Sequence, residues 1–168
     1  MFLSRRSFIL YVSVCLFAAL LFTGCSTDSE DAFENVHFVP IGEWTDAYGG
    51  GYNITGSTLE YYTAEMEWEG VTYPGFNMKG DILIANDFSG KAGVLLIKIT
   101  SSDVYGLAAN KYTGVYYRDY TSSHVFLVNP IDESYVPIQT DTLAQAESLF
   151  TVDNVGNHVQ DWGSGYGK

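Results

Sequence analysis

The chain has 168 residues and a formal net charge of −12, with 20 acidic residues against eight lysines and arginines. This charge makes nucleic acid and anionic lipid headgroups poor partners, because both repel an acidic surface. Both cysteines, Cys15 and Cys25, lie near the N-terminus. The remaining sequence therefore excludes disulfides, thiolate metal sites and cysteine nucleophiles.

Residues 1–24 have the pattern of an export signal. Arg5 and Arg6 form a basic n-region, and an uncharged, predominantly apolar run covers residues 8–22. This run is shorter than the roughly 20 residues of a transmembrane helix, and small residues follow it before Cys25. The sequence predicts a cleaved signal peptide over residues 1–24, and a retained N-terminal membrane anchor is the alternative.

The segment LFTGC, residues 21–25, resembles the lipobox of bacterial lipoproteins. In that family the cysteine is alkylated with diacylglycerol and becomes the new N-terminus. Phe22 stands where the usual motif has leucine, a departure that resembles spirochaete lipoproteins. The resemblance implies diacylglycerol and palmitate on Cys25, and two or more acyl chains anchor a protein stably. SRRSF, residues 4–8, also resembles the twin-arginine export motif, but the strongly apolar run favours the general secretory route.

Residues 25–35 are polar and acidic after Cys25, and they predict a disordered tether. Ser26 stands where the best-known inner-membrane retention signal has aspartate, which favours the outer membrane. Loss of Arg5 and Arg6 with the signal changes the net charge from −12 to −14. Residues 36–168 have the length of a single domain.

From residue 36 onwards, apolar and polar side chains alternate as in β-strands. GYNITGSTLEYYT, residues 51–63, predicts a hairpin with its turn at TGST. AEMEWEG, residues 64–70, predicts an antiparallel strand with an acidic wet face and an apolar dry face. Further strands are predicted in FNMKGDILIANDF (76–88), AGVLLIKIT (92–100), KYTGVYYRDYT (111–121) and SSHVFLVNP (122–130). About eight strands with short connections predict a closed antiparallel barrel or a sandwich.

One segment has helical periodicity instead. DTLAQAESLF, residues 141–150, places its apolar residues on one helical face, and Thr142 and Gln145 have the spacing of a capping box. A helix near 142–150 is therefore expected to lie along the sheet. VGNHVQDWG, residues 155–163, predicts one last short strand, and GSGYGK, residues 163–168, predicts a frayed end.

This order of elements, a strand meander followed by one helix and a short final strand, resembles that of lipocalin-like barrels. Gly42-Glu43-Trp44 resembles the Gly-x-Trp motif of their first strand. The resemblance implies that residues 36–168 form a mostly β, lipocalin-like barrel in which Trp44 closes the floor under a basic side chain. Arg118, the only arginine after the signal, is the expected partner of Trp44. The whole chain also resembles the tyrosine-rich, cysteine-poor lipoproteins of treponemes.

Catalytic and metal-binding patterns are not found in the sequence. His37, His124 and His158 lie in separate elements, without the spacing of a metal site. The alternating acids at residues 65–69 are read as a solvated face, with calcium binding as the alternative, because one strand face lacks convergent oxygens. We therefore expect no metal, no cofactor and no enzymatic activity.

Two functions are then open. In the first, a small apolar or aromatic ligand binds in the mouth of the barrel, lined by Trp68, Tyr73, Phe76 and Tyr116. In the alternative, the barrel is filled, and its tyrosine-rich surface binds a host or envelope protein. In both cases the N-terminal lipid holds the protein in the cell envelope, on the outer membrane.

Overall fold

The computed structural model of the protein describes residues 39–159 and 165–168. The predicted signal peptide, Cys25, the tether and His37 lie outside these residues. Within them, no helix is both long and apolar enough to cross a membrane.

The described residues form a closed β-barrel. The strands are β1 (Gly42–Thr45), β2 (Gly51–Ile54), β3 (Thr58–Tyr62), β4 (Met66–Trp68), β5 (Val71–Tyr73), β6 (Asn77–Asp87), β7 (Gly93–Ser102), β8 (Tyr112–Arg118), β9 (His124–Val128) and β10 (Tyr166–Gly167). Eight of them close in the order β1-β10-β9-β8-β7-β6-β3-β2, with every neighbouring pair antiparallel. The predicted antiparallel, lipocalin-like barrel of about eight strands is confirmed.

Strand β7 is buried on both faces, which explains its nearly continuous apolar sequence. Leu95 and Ile97 pack in the interior of the barrel, whereas Val94 and Leu96 belong to a second cluster on its outer wall. An antiparallel strand with one wet face alternates polar and apolar residues. β7 does not alternate because its outer face is covered by the C-terminal helices.

Helix α1 (Leu143–Leu149) confirms the predicted helix and its cap. The Thr142 side chain accepts a hydrogen bond from the backbone N of Gln145, and the Gln145 side chain accepts one from the backbone N of Thr142. Phe150, just after α1, is fully buried against Gly114 of β8. A Cβ atom at Gly114 would lie only 2.9 Å from Cγ of Phe150. Because Gly114 has no side chain, Phe150 can approach β8 closely, and α1 packs against the outer wall of the barrel.

The antiparallel strand predicted in residues 64–70 forms as β4, but the expectation that it belongs to the barrel is wrong. β4 pairs only with β5 in a separate two-stranded sheet, and β3 pairs directly with β6. The two residues between β4 and β5, Glu69 and Gly70, both have positive φ, 53° and 77°. That geometry matches a type I′ turn, which joins adjacent strands tightly. A tight local turn thus pairs β4 with β5, and the hairpin leaves the barrel wall.

Two predictions near the C-terminus are also wrong. Val155–His158 forms a second short helix, α2, after a 3₁₀ turn at Val152–Asn154, where a strand was predicted; residues 160–164 lie outside the described chain. The end that was expected to fray contains β10. Tyr166 pairs with Val125 of β9, and Gly167 pairs with Thr45 of β1. β10 lies between β1 and β9, pairs with both and closes the barrel.

Trp44 lies at the end of the barrel where the chain enters β1. It is fully buried, and its Nε1 donates a hydrogen bond to the carbonyl oxygen of Pro40 at 2.7 Å. The cation over its indole ring is Lys168, whose Nζ lies 4.6 Å from the ring centroid. Gly42 makes room for this side chain, because a Cβ there would approach Cε of Lys168 to 2.7 Å. The φ of +142° at Gly42 also favours glycine.

The predicted contact between Arg118 and Trp44 is therefore wrong. The Arg118 guanidinium lies 4.9 Å from the ring centroid of Phe126, on the neighbouring strand β9. β8 is separated from β1 by β9 and β10, whereas Lys168 directly follows β10, the neighbour of β1. The barrel end is thus covered by Lys168.

This contact predicts a measurable contribution of Lys168 to stability. The substitution Lys168→Met keeps the length and much of the apolar stem but removes the charge over Trp44. We expect the free energy of unfolding to fall by about 0.5–1 kcal/mol, the size of a cation–π contact at a partly exposed site. Urea titration measures it, with Lys91→Met as control, because Lys91 is exposed in the turn before β7. Equal effects of the two substitutions would contradict the assigned contact.

Candidate functional site

The interior of the barrel is filled by its own side chains. Trp44, Tyr52 and Tyr117 are at most 1% exposed, and aliphatic residues from β2 to β9 pack between them. The Tyr52 ring centroid lies 4.9 Å from that of Tyr61 and 5.1 Å from that of Tyr166. Side chains fill small eight-stranded barrels in this way. A binding surface is therefore expected on the outside of the barrel.

The tyrosines inside the barrel do not serve as acid–base groups near neutral pH. Burial raises the pKa of the Tyr52 hydroxyl well above its usual value, and the neighbouring Tyr166 and Tyr61 raise it further. Burial also raises the pKa of Tyr61, with a second contribution from the Asp46 carboxylate. These hydroxyls stay protonated and neutral. Their contribution is packing and hydrogen bonding.

The β4–β5 hairpin exposes an apolar face. Met66 pairs with Tyr73, and Trp68 pairs with Val71, so period two places all four side chains on the same face of the hairpin. Met66 is 56% exposed and Trp68 is 62% exposed. The sequence predicted that this face would be dry, but it lies in solvent because the hairpin is outside the barrel. Contiguous apolar surface of this kind marks interaction sites.

A groove of about 380 Å³ separates the hairpin from the β1–β2 loop. We call it the hairpin groove, and its lining includes the side chains of Asp46, Tyr48, Glu65, Met66, Tyr73 and Phe76. Its volume falls in the range of pockets that bind small molecules, about 300–1,000 Å³. The groove joins the apolar face of the hairpin to two carboxylates at its border.

Local hydrogen bonds shape both walls of the hairpin groove. On one side, Oδ1 of Asp46 accepts hydrogen bonds from the backbone N of Tyr48 at 2.8 Å and of Gly50 at 2.9 Å. On the other side, the base of the hairpin is held by Thr63 and Phe76. The backbone N of Phe76 donates to Oγ1 of Thr63 at 2.8 Å, and the backbone N of Thr63 donates to the carbonyl oxygen of Phe76 at 2.9 Å. The walls are therefore defined by the fold before any partner binds.

Three of the four predicted ligand residues lie at the hairpin. Tyr73 and Phe76 line the hairpin groove, and Trp68 lies further out on the same apolar face as Tyr73. All three are exposed at the surface. They lie at one end of the barrel but outside its interior, so the predicted interior mouth is replaced by an external groove.

Tyr116 does not belong with the other three, and its predicted place in a shared mouth is wrong. It is fully buried on the outer wall of β8, in the cluster that contains Phe150. Its hydroxyl lies 3.3 Å from Nδ1 of His158. Burial raises the pKa of Tyr116 to about 12 and lowers that of His158. The pair is part of the packing between the C-terminal helices and the barrel.

Sequence reasoning missed two groove residues, Tyr48 and Met66. Tyr48 lies in the β1–β2 loop just before the run of three glycines, and it is one of the most exposed aromatic residues described. Met66 lies on the face of the strand that the sequence predicts to be dry. Both residues lie in loops that leave the same end of the barrel, and this position identifies them as groove residues. The register shows it: Thr45 pairs with Gly51, and Gly51 pairs with Tyr62, so residues 46–50 and 63–76 start at that end.

The described residues offer no obvious metal centre, since no three of their histidine, aspartate and glutamate side chains are grouped to hold an ion. No protein-family model matches the chain, and no curated protein or solved structure was found to match it. The candidate site therefore rests on its own geometry.

Proposed function

We propose that this protein is a non-enzymatic binding module in which the filled barrel is a scaffold and the hairpin groove contacts the partner. The observation that carries the proposal is the exposed apolar face of the hairpin, formed by Met66, Trp68, Val71 and Tyr73 next to the groove. Of the two functions considered from the sequence, this favours the interaction module with a filled barrel over a ligand held inside the barrel.

The residue types at the site support this function. Burying a large apolar side chain fully in a core stabilises a protein by about 1.5–3 kcal/mol. The exposed side chains of the hairpin do not make this contribution to the stability of the fold. Tryptophan and tyrosine are enriched where binding energy concentrates in protein interfaces. Because the hairpin is joined to the barrel by loops, these side chains can be covered by a partner without disturbing the core.

A neutral aromatic probe tests whether the groove binds apolar groups. In an NMR titration of the ¹⁵N-labelled mature chain with indole, we expect chemical-shift changes at Gly50, Ala64 and Phe76, and not at the interior residues Met78 and Val115. Phe76→Ala is expected to weaken indole binding about fivefold, since an aromatic contact contributes about 1 kcal/mol.

The matched control is Leu83→Ala. Leu83 is also partly exposed, on β6 outside the groove, so its truncation should leave indole binding unchanged. Changes confined to interior residues would contradict the proposal and restore the interior-ligand function. An absence of any saturable shift would contradict both.

We further propose that the mature protein begins at Cys25, carries lipid there and is anchored to the cell envelope, on the outer membrane. The support is the sequence: the basic and apolar signal over residues 1–24, the LFTGC motif, and the acidic segment 25–35 that follows. A single acyl chain binds a membrane only marginally, so stable anchoring requires the diacylglycerol together with further acylation.

Metabolic labelling with an alkyne analogue of palmitate tests the anchor. The wild-type chain should incorporate the label, whereas Cys25→Ser should not. Cys15→Ser is the matched control, because Cys15 lies in the predicted signal and should be removed with it. Label that persists in Cys25→Ser would contradict the assignment.

A further inference from the structure

We propose that the hairpin groove binds a protein segment in which an aromatic or aliphatic side chain stands next to a lysine or arginine. This inference rests on the proposed function and specifies the partner's chemistry. The apolar side chain of the segment would lie against Met66, Tyr73 and Phe76, and its cation would lie near Asp46 and Glu65.

The charge of the groove favours a cationic partner. Asp46 and Glu65 border it, and no lysine or arginine is among its described lining residues. Neither carboxylate takes part in an ion pair between described residues. The negative charge of Asp46 also acts on its surroundings, since it adds to the effect of burial in raising the pKa of Tyr61.

The opposite face of the hairpin strengthens this preference. Glu67 pairs with Thr72 on that face, and it is exposed. A partner that covers the apolar face therefore approaches a strand whose other face is acidic. Complementary charge around an apolar contact speeds encounter and excludes wrong partners more than it adds affinity. An acidic partner would meet unfavourable charge from both walls of the groove.

The position of the groove favours a protein over a lipid surface. The described chain starts at Val39, and Pro40 contacts Trp44 at the end of the barrel where β1 begins. The β1–β2 loop and the hairpin leave the opposite end, because Thr45, Gly51 and Tyr62 are aligned in register. The described chain thus enters the barrel at the end away from the groove, and the lipid anchor proposed above, which precedes this entry point in the sequence, would leave the groove free for another protein.

Charge-matched peptides test the inference. The full chain from residue 25, with Cys25→Ser so that it stays unlipidated, is titrated against fluorescent five-residue peptides with blocked ends. The central residue is tryptophan, and its two neighbours are lysines in one peptide and glutamates in the other. We expect the lysine peptide to bind about tenfold more tightly, because it forms two partly screened ion pairs.

Two substitutions localise the effect. Glu65→Gln should weaken the lysine peptide about threefold, the effect of one surface ion pair, and should leave the glutamate peptide unweakened. Glu133→Gln is the matched control, because Glu133 is exposed in the loop between β9 and α1. Loss of affinity in Glu133→Gln equal to that in Glu65→Gln would contradict a local contact.

The outcomes separate this inference from the proposed function. If indole binds in the groove but the two peptides bind equally, or the glutamate peptide binds more tightly, the preference for a cationic segment is wrong and the binding module stands. If neither indole nor peptide binds, both fail. If the chain instead sediments with phosphatidylcholine vesicles, and Trp68→Ala abolishes this without any peptide preference, the apolar face of the hairpin serves a lipid surface and the inference is overturned.

Discussion

Closure of the barrel depends on the two residues of β10 and on the lysine that follows them. Without β10, the free edges of β1 and β9 would present unpaired backbone groups, which invite pairing with other chains. Gly167 pairs with Thr45, and Lys168 places its charge over Trp44, so the same tail joins the sheet and covers one end of the interior. Tyr166 contacts Tyr52 at a centroid distance of 5.1 Å and extends this closure into the core.

A closed and filled barrel determines where binding can take place. Interior rings such as Tyr52 and Tyr117 occupy the space that a ligand would need. Moving them would disrupt an interior that is packed about as densely as crystals of small organic molecules. Loops at the barrel ends are free of this constraint, and rigid scaffolds commonly carry their binding residues on such loops. The hairpin from Met66 to Tyr73 follows this pattern, with its base held by the bonds between Thr63 and Phe76.

The features that the sequence predicted correctly are those with local signals. The hairpin of residues 51–63, the apolar β7 and the capped helix α1 each depend on periodicity or on residues three positions apart. The features that it missed depend on distant neighbours. Whether Lys168 or Arg118 covers Trp44 depends on which strand adjoins β1, and the exposure of Trp68 depends on β3 pairing with β6. A two-residue strand such as β10 is too short for any periodic signal.

A filled interior and an external binding hairpin can be distinguished from an open barrel by ¹⁹F NMR with 5-fluorotryptophan. Resonances of Trp44, Trp68 and Trp162 are assigned by single substitutions to phenylalanine, and a neutral gadolinium complex then reports exposure. We expect the complex to broaden the Trp68 resonance and to spare Trp44. We also expect the lysine–tryptophan peptide, made without fluorine, to shift the Trp68 resonance and to leave that of Trp44 unchanged. Broadening of Trp44, or a peptide-induced shift at Trp44 with Trp68 unmoved, would contradict a filled interior with an external binding hairpin.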